Sequence, residues 1–393
     1  MYIRYFPLSR LCWNTSQPFN WCQSNKVYTF GQMGKRTASG LLRHSISPFV
    51  MVTHHLLHEV QVSWDQLSPH LPIVLLSLLL LQLMKKIGNV KAKQVYEKYV
   101  PPFYKKPRVT DPGVLKTEWI YAKYKRFEFD DPQHQNEYLK ETKEGILMKR
   151  GKENQKFKPR RFLLSRSENL LKYFNKENAS RPKAEINLDS LNAVFVPEKI
   201  GQLNGLQITY TDRGSTRCIY VYHQDSKEIV DWYQSIRALK LERRKIAFPD
   251  KNVSELCEDL TRSFSKEGWL SKKGPRDEPF RKRWFTFDRR KLMYFEEPLN
   301  AFAKGEIFIG HKDNCYSIVE GIPADGRTAP GYGFTLHTPD RDFYLSADSK
   351  GEMEEWIHEL TKVTLTPLTP QDNKIAASMV NKRPTTIYQM MKR

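Results

Sequence analysis

The sequence predicts a mainly β fold with helices, in which two tandem copies of a strand-rich barrel or sandwich are each capped by a C-terminal helix. The first observation behind this prediction is an internal repeat. One copy begins EGILMKRG at Glu144 and the other begins EGWLSKKG at Glu267. The offset is 123 residues for Gly145 and Gly268, Phe157 and Phe280, and Arg160 and Arg283, 121 residues for Tyr173 and Tyr294, and 124 residues for Trp232 and Trp356.

The second observation is the order of short strand candidates in each copy. In the first copy they are GILMK, PRRFLL, NLLKYF, AEINL, LQITYT and RCIYVYH. In the second copy they are GWLSK, KRWFTF, KLMYF, GEIFIG, YGFTLHT and DFYLSA. A helix candidate closes each copy, SKEIVDWYQSIRAL in the first and GEMEEWIHELTKV in the second. We interpret the late tryptophan of each helix as a core residue.

Helices are predicted before the repeat. Lys91–Val100 suits a short helix that the pair Pro101 and Pro102 ends. The apolar residues after Pro112 form two stripes at helical spacing, Leu115, Trp119 and Ala122, and Ile120, Tyr124 and Phe127. We expect Glu118 and Lys125 on the far side of this helix. Its apolar surface is larger than an isolated helix keeps in water, so it needs a packing partner.

The two ends of the chain show no repeat. Residues 1–87 have no helical or strand period, and we expect a divergent region that is disordered in part. The apolar run Leu71–Met84 has 14 residues, whereas about 20 are needed to span a bilayer. We therefore expect a buried or interfacial helix there and not a membrane span. Residues 366–393 contain Thr, Pro and a basic end, which predicts a flexible tail.

Charge and cysteine content limit the classes of function. The net charge of +20 favours polyanionic partners, namely nucleic acid, an anionic membrane or inositol phosphates, although a solvated basic surface without a ligand is an equal alternative. The five cysteines are odd in number and far apart, which indicates free thiols in a reducing compartment. No two of them form a C-x-x-C pair, so a zinc site built on such pairs is not expected.

Each copy resembles the pleckstrin-homology (PH) domain. The resemblance rests on an ordered pattern: Gly-apolar-Leu-x-Lys, then Phe-Lys/Arg-x-Arg-x-Phe, a Tyr-Phe strand and a late helical Trp. In the first copy the residues are Gly145, Lys149, Phe157, Lys158, Arg160, Phe162, Tyr173 and Trp232. In the second copy they are Gly268, Trp269, Lys272, Phe280, Arg281, Arg283, Trp284, Phe285, Tyr294 and Trp356.

The PH resemblance implies a lipid headgroup site in each copy. Strand residues two apart share a face, so the two basic residues of the second strand point the same way, and the lysine of the first strand is their neighbour. Such a cluster offers charge-assisted donors to phosphate oxygens. The implied ligand-binding residues are Lys149, Lys158, Arg160, Tyr173 and Lys183 in the first copy, and Lys272, Arg281, Arg283, Tyr294 and Lys304 in the second. The alternative is that these are solvated strand charges.

The tandem arrangement resembles a narrower family. Residues 88–130 resemble the C-terminal end of an ArfGAP domain, and an ArfGAP end followed by two PH domains resembles the ArfGAP-with-dual-PH-domains (centaurin-alpha) family. That family's zinc module needs two C-x-x-C pairs and an arginine finger. Residues 1–87 hold only Cys12 and Cys22, so we expect a variant with no catalytic residues, no metal site and no cofactor.

Three functional hypotheses follow. We expect first PH (141–242) and second PH (265–365) domains that bind phosphatidylinositol trisphosphate and inositol polyphosphates and recruit a cytoplasmic protein peripherally to the anionic inner leaflet of the plasma membrane. The alternative, implied by the full-length family, is a GTPase activator with Arf-family GTPases as partners. Nucleic-acid binding is a third hypothesis, disfavoured because no nucleic-acid motif is present.

Overall fold

The described part of the chain forms two compact units. The computed structural model describes residues 88, 90–152, 155–212, 215–274, 278–323 and 329–380. The first unit takes its described residues from the part up to Glu141 and from Gln224–Cys257, and the second takes them from Thr142–His223 and from Glu258 onward. Residues 1–87, including the run Leu71–Met84, lie outside the described residues. Within the described ranges no helix is long and apolar enough to span a bilayer.

The second unit begins with an antiparallel sheet, called the first sheet below. Within this sheet, hydrogen-bonded strands follow one another in the order β4-β3-β2-β1-β7-β6-β5. Its strands are β1 (Thr142–Arg150), β2 (Phe157–Ser165), β3 (Leu170–Phe174), β4 (Ala184–Asn187), β5 (Asn192–Phe195), β6 (Leu206–Asp212) and β7 (Ser215–Tyr222). A short helix, α3 (Pro197–Ile200), joins β5 to β6. Alternate residues of β2 are buried because one face of the strand, with Phe162 and Leu164, points into the core.

A second sheet in the same unit repeats this order as β11-β10-β9-β8-β14-β13-β12. Its strands are β8 (Lys266–Lys273), β9 (Phe280–Asp288), β10 (Lys291–Phe295), β11 (Gly305–Phe308), β12 (Ser317–Glu320), β13 (Tyr332–His337) and β14 (Asp342–Ala347), with a 3-10 turn at Lys312–Asn314. The helix α6 (Lys350–Thr364) packs on this sheet. Its Trp356 is 1% exposed and lies edge-on to Phe285, with ring centroids 6.3 Å apart. The predicted core role of Trp356 is confirmed.

The first unit is helical. Its elements are α1 (residues 90–96), α2 (Gly113–Tyr124), a 3-10 helix (Pro132–Leu139), α4 (Ser226–Ala247) and α5 (Val253–Cys257). Helix α4 packs against α2 and the 3-10 helix, and its Trp232 is 1% exposed, which confirms the predicted core role. Tyr104 is the centre of an aromatic core, with its ring centroid 5.6 Å from that of Trp119 and 5.0 Å from that of Phe129.

Three expectations for the helical unit are wrong in detail. Glu118 is not on an exposed far side but is 2% exposed, because it accepts a hydrogen bond from Ser226 Oγ at 2.6 Å and pairs with Arg126 at 2.9 Å. Phe127 lies beyond the helix with φ of 50°, so it does not extend the second stripe. The expectation that the helices of residues 88–130 are partly unsupported, with Trp119 exposed or packed on the N-terminal segment or the first PH domain, is also wrong, because Trp119 is half-buried against the rings of Tyr104 and Phe129 in its own unit.

Two strands, the helices α3 and α7 and the 3-10 helix Pro132–Leu139 escaped the sequence analysis. The strands are β5 and β12, each of four residues at one edge of its sheet. The helix α7 (Pro370–Val380) contradicts a flexible tail over that range, while residues 381–393 lie outside the described residues. It forms because Thr369 and Asp372 cap each other: the Thr369 amide donates to Asp372 Oδ2 at 2.9 Å, and the Asp372 amide donates to Thr369 Oγ1 at 3.2 Å.

Candidate anion-binding sites

Strand register brings four of the predicted residues of the first copy together. Lys149 of β1 pairs with Lys158 of β2, and Arg160 lies two residues further on the same face. Tyr173 of β3 pairs with Phe162, which is again on that face. Lys158 and Arg160 therefore lie on the same face of β2 as the buried Phe162, but beyond the end of the hydrophobic core.

Lys149 is held in a cationic environment. Its Nζ lies 5.0 Å from the centroid of the Tyr173 ring and donates to the Arg150 carbonyl at 3.1 Å. Burial, then the charges of Arg217 and Arg160, lower the pKa of Lys149 to about 8. No carboxylate of the described residues forms an ion pair with it. Lys149 is thus surrounded by positive charge and has no carboxylate partner of its own among the described residues.

Arg217 of β7 is the member of this site that the sequence analysis missed. Its Nη2 lies 3.1 Å from Tyr173 Oη, and its Nη1 pairs with Asp212 Oδ2 at 3.3 Å. The internal repeat could have pointed to Arg217, because Arg217 and Arg341 are 124 residues apart, which is the same offset as that of the two helical tryptophans. We call Lys149, Lys158, Arg160, Tyr173 and Arg217 the first cluster.

The second sheet places its predicted residues in the same register. Lys272 of β8 pairs with Arg281, and Leu270 pairs with Arg283, so both arginines take the positions of their counterparts. Tyr294 pairs with Phe285, as Tyr173 pairs with Phe162. Just before β14, Arg341 lies over the Phe343 ring at 4.4 Å. The second cluster consists of Lys272, Arg281, Arg283, Tyr294 and Arg341.

Lys272 repeats the behaviour of Lys149. Its Nζ lies 5.3 Å from the Tyr294 centroid and donates to the Lys273 carbonyl at 2.9 Å. Burial, then the charges of Arg341 and Arg283, lower the pKa of Lys272 to about 8, although Glu278 opposes this. The same cause therefore acts on the same position in both copies.

Lys183 and Lys304 stand at the edge of their clusters. The backbone amide of each donates to the carbonyl of the cluster tyrosine, Tyr173 or Tyr294, at 2.8 Å, and both side chains are exposed. They differ in their partners, because Lys304 forms an ion pair with Glu296 at 2.9 Å. Hydrogen bonding to Lys304, and the charges of Lys304 and the two β9 arginines, lower the pKa of Glu296.

A cavity of 710 Å³ adjoins the second cluster. Tyr294, Lys304 and Arg341 line it, together with Ser215 from β7 of the first sheet and Met379 from α7. Its size lies within the range of about 300–1,000 Å³ that is typical of ligand pockets, and the carboxylate residues Glu306 and Asp340 also line it. In the part of the chain that the structure describes, no group of three His, Cys, Asp or Glu residues is placed to hold a metal ion.

The fold and these clusters define a protein with two PH domains. The PH domain family model matches residues 141–240 and 264–365. Arf-GAP with dual PH domain-containing protein 2 from Homo sapiens is 45% identical over 295 residues, which are 74% of this chain and 77% of that protein. The Mus musculus protein of the same name is 42% identical over the same shares of each chain. This chain belongs to the family of Arf-GAP proteins with dual PH domains.

Among solved structures, the chain is similar to the C-terminal PH domain of pleckstrin in complex with D-myo-Ins(1,2,3,5,6)P5. The identity is 20%, the match covers 26% of this chain and 98% of that chain, and the TM-score is 0.23.

Proposed function

We propose that this chain binds phosphoinositides and inositol polyphosphates through both clusters, and that this binding recruits it from the cytoplasm to the inner leaflet of the plasma membrane. The observation that supports the proposal is the position of Lys149 and Lys272 beside two arginines each; burial first, and then the charges of these arginines, lower both lysine pKa values to about 8. Charge crowding of this kind is unfavourable in the free protein, so a polyanion that fills the cluster relieves it.

The geometry of each cluster suits phosphate more than a single carboxylate. Arginine supplies a planar fork of donors, lysine a mobile ammonium and tyrosine a hydroxyl. These groups come from three or four neighbouring strands of one sheet, so they can contact several phosphate groups on one ring. We therefore propose a trisphosphorylated inositide as the preferred lipid.

Liposome binding by arginine variants tests the proposal. Arg160→Ala and Arg283→Ala should each weaken binding to vesicles that contain phosphatidylinositol trisphosphate, since a hydrogen bond to a charged group contributes about 1.5–3 kcal/mol. The double variant should lose most binding. Arg243→Ala is the matched control, because Arg243 is an exposed arginine on α4. Near-normal binding by a folded double variant would exclude the clusters as the lipid site.

The proposal also covers catalysis. We propose that this chain does not activate Arf-family GTPases and holds no zinc, because residues 1–87 carry only Cys12 and Cys22. An arginine finger accelerates GTP hydrolysis by about 10³–10⁵, so its effect is easily measured. The assay follows GTP loss on an Arf protein with lipid present, and metal analysis of the purified chain accompanies it. One zinc per chain, or stimulation above the control without the chain, would refute this part.

A further inference from the structure

The loop between β10 and β11 of the second sheet, residues 296–304, lies along β7 of the first sheet. An antiparallel bridge joins Arg217 to Phe302, and the Cys218 amide donates to the Ala301 carbonyl at 2.8 Å. Both sheets belong to the same compact unit. The second sheet therefore adds a short stretch of backbone to the strand that carries a member of the first cluster.

Side chains of the first sheet fix the rest of this loop. Tyr220 Oη donates to the Pro298 carbonyl at 3.0 Å and lies 3.4 Å from the Asn300 carbonyl. Arg150 Nη1 donates to the Leu299 carbonyl at 2.8 Å. With Ala301, four consecutive carbonyls thus accept hydrogen bonds from the first sheet. The loop cannot leave β7 without losing all of them.

An apolar contact between the sheets supports these hydrogen bonds. Cys218 and Tyr220, on the outer face of β7, are buried against Met293 and Phe295 of β10. Ile200 completes the buried set, and the partly buried residues packed on it are Phe157, Val196, Trp284, Leu299 and Ala303. The loop is therefore anchored on a packed interface.

Phe302, near the end of this loop, lies beneath Arg217 of the first cluster and beneath Lys152. Its ring centroid is 5.3 Å from the Arg217 guanidinium and 5.3 Å from Lys152 Nζ. Lys152 follows β1, next to the strand ends that carry Lys149 and Lys158. Phe302 is 36% exposed, so its ring is only partly covered by its neighbours. An aromatic face attracts cations and limits the positions they sample.

We infer that the second PH domain completes the headgroup site of the first, with Phe302 as a positioning residue that orients Arg217 and Lys152 toward the phosphates. This inference rests on the proposed function. The physical advantage is preorganisation: a cation that is already oriented loses less side-chain entropy when the ligand binds. The first site then has its full affinity only when both PH domains are in place.

The test isolates the first site in the full chain. In an Arg283→Ala background, titration calorimetry with soluble inositol 1,3,4,5-tetrakisphosphate reports the first site alone. Adding Phe302→Ala should weaken this binding about five- to tenfold, since each ordered long side chain contributes about 0.5–1.5 kcal/mol. Phe302→Trp should restore it because it keeps an aromatic face, whereas Phe302→Leu, which is apolar without such a face, should not.

Two controls separate positioning from packing. Tyr332→Ala removes another exposed aromatic residue of the second sheet, at the end of β13 opposite the turn that carries Arg341, and should leave the first site unchanged. In an Arg160→Ala background, Phe302→Ala should leave the second site unchanged. Equal losses at both sites would show a general packing defect and overturn the inference.

The remaining outcomes distinguish this inference from the proposed function. If the Arg283→Ala chain binds the tetrakisphosphate and Phe302→Ala or Phe302→Leu binds equally well, the positioning role is refuted while the proposed function stands. If the Arg283→Ala and Arg160→Ala chains both fail to bind, the proposed function fails. Repeating the series with trisphosphoinositide vesicles separates a site for lipid from a site that takes only the free headgroup.

Discussion

Headgroup binding at both sites should weaken as the pH rises from 7 to 9. The rise in pH deprotonates Lys149 and Lys272, because burial and neighbouring arginines lower their pKa values to about 8. A bound polyanion favours the charged ammonium and raises its pKa. Binding therefore takes up a proton in this range, and by linkage the affinity falls as the pH passes the pKa of the free protein.

The magnitude follows from the charged fraction of the free lysine. With a pKa near 8, about nine tenths of the ammonium is charged at pH 7 and about one tenth at pH 9. If the bound lysine stays charged, each site loses affinity about tenfold over these two pH units. The phosphates cannot cause this loss, because their second ionisation near pH 6 acts in the opposite direction. Burial raises the pKa of Tyr173, so it does not ionise in this interval.

Calorimetry of tetrakisphosphate binding at several pH values is the assay. Titrations in two buffers of different ionisation enthalpy should show an uptake of about half a proton per site at pH 8. Lys149→Arg combined with Lys272→Arg is the matched control, because arginine stays charged at all these pH values and the pH dependence should vanish. An affinity that is constant from pH 7 to 9 in the unmodified chain would refute the reasoning.

Three further predictions concern salt and the second site. Raising the ionic strength from 0.1 to 1 M should weaken vesicle binding strongly, because the screening length falls from about 10 Å to about 3 Å; salt-insensitive binding would indicate apolar insertion instead. Gly305→Ala should destabilise the second sheet by about 1–3 kcal/mol in thermal unfolding, because a Cβ there overlaps the Tyr294 ring, while Ala184→Gly at the matching position should show no such clash. Glu296→Gln should strengthen tetrakisphosphate binding at the second site in an Arg160→Ala background, because it removes the carboxylate that pairs with Lys304; a weaker site would contradict this.

The sequence predicts the two sheets well because their evidence is local and repeated. Most strands alternate apolar and polar residues, and the constant offset shows the same order twice. The strands β5 and β12 are harder to predict because neither alternates buried and exposed residues: three of the four residues of β5 are buried, and three of the four residues of β12 are exposed. Glu118 could not be placed because Ser226, one of its partners, is 108 residues away in the sequence.

Part of the candidate site was likewise beyond local patterns. The β1 and β2 members were predictable, since a strand hairpin fixes their register over a few residues. Arg217 and Arg341 come from a different part of each copy, and only the repeat offset points to them. Phe302 has no pattern at all, because its position depends on how β7 and the loop at residues 296–304 meet in three dimensions.

The two clusters share their cationic residues but differ in the residues that surround these cations. Each cluster contains a lysine of lowered pKa beside two arginines. The two PH domains therefore repeat this arrangement of cations. Around the second cluster, Glu296 pairs with Lys304 and Glu278 lies 3.7 Å from Arg281, so a ligand must compete with carboxylates there. The first cluster has one such carboxylate, Asp212, which pairs with Arg217 at 3.3 Å, whereas Lys183 forms no ion pair among the described residues. Phe302 lies under Arg217 of the first cluster and under the neighbouring Lys152. At equal ionic strength we therefore expect the first site to bind the same tetrakisphosphate more tightly than the second, and single-site titrations of the two arginine variants measure that order directly.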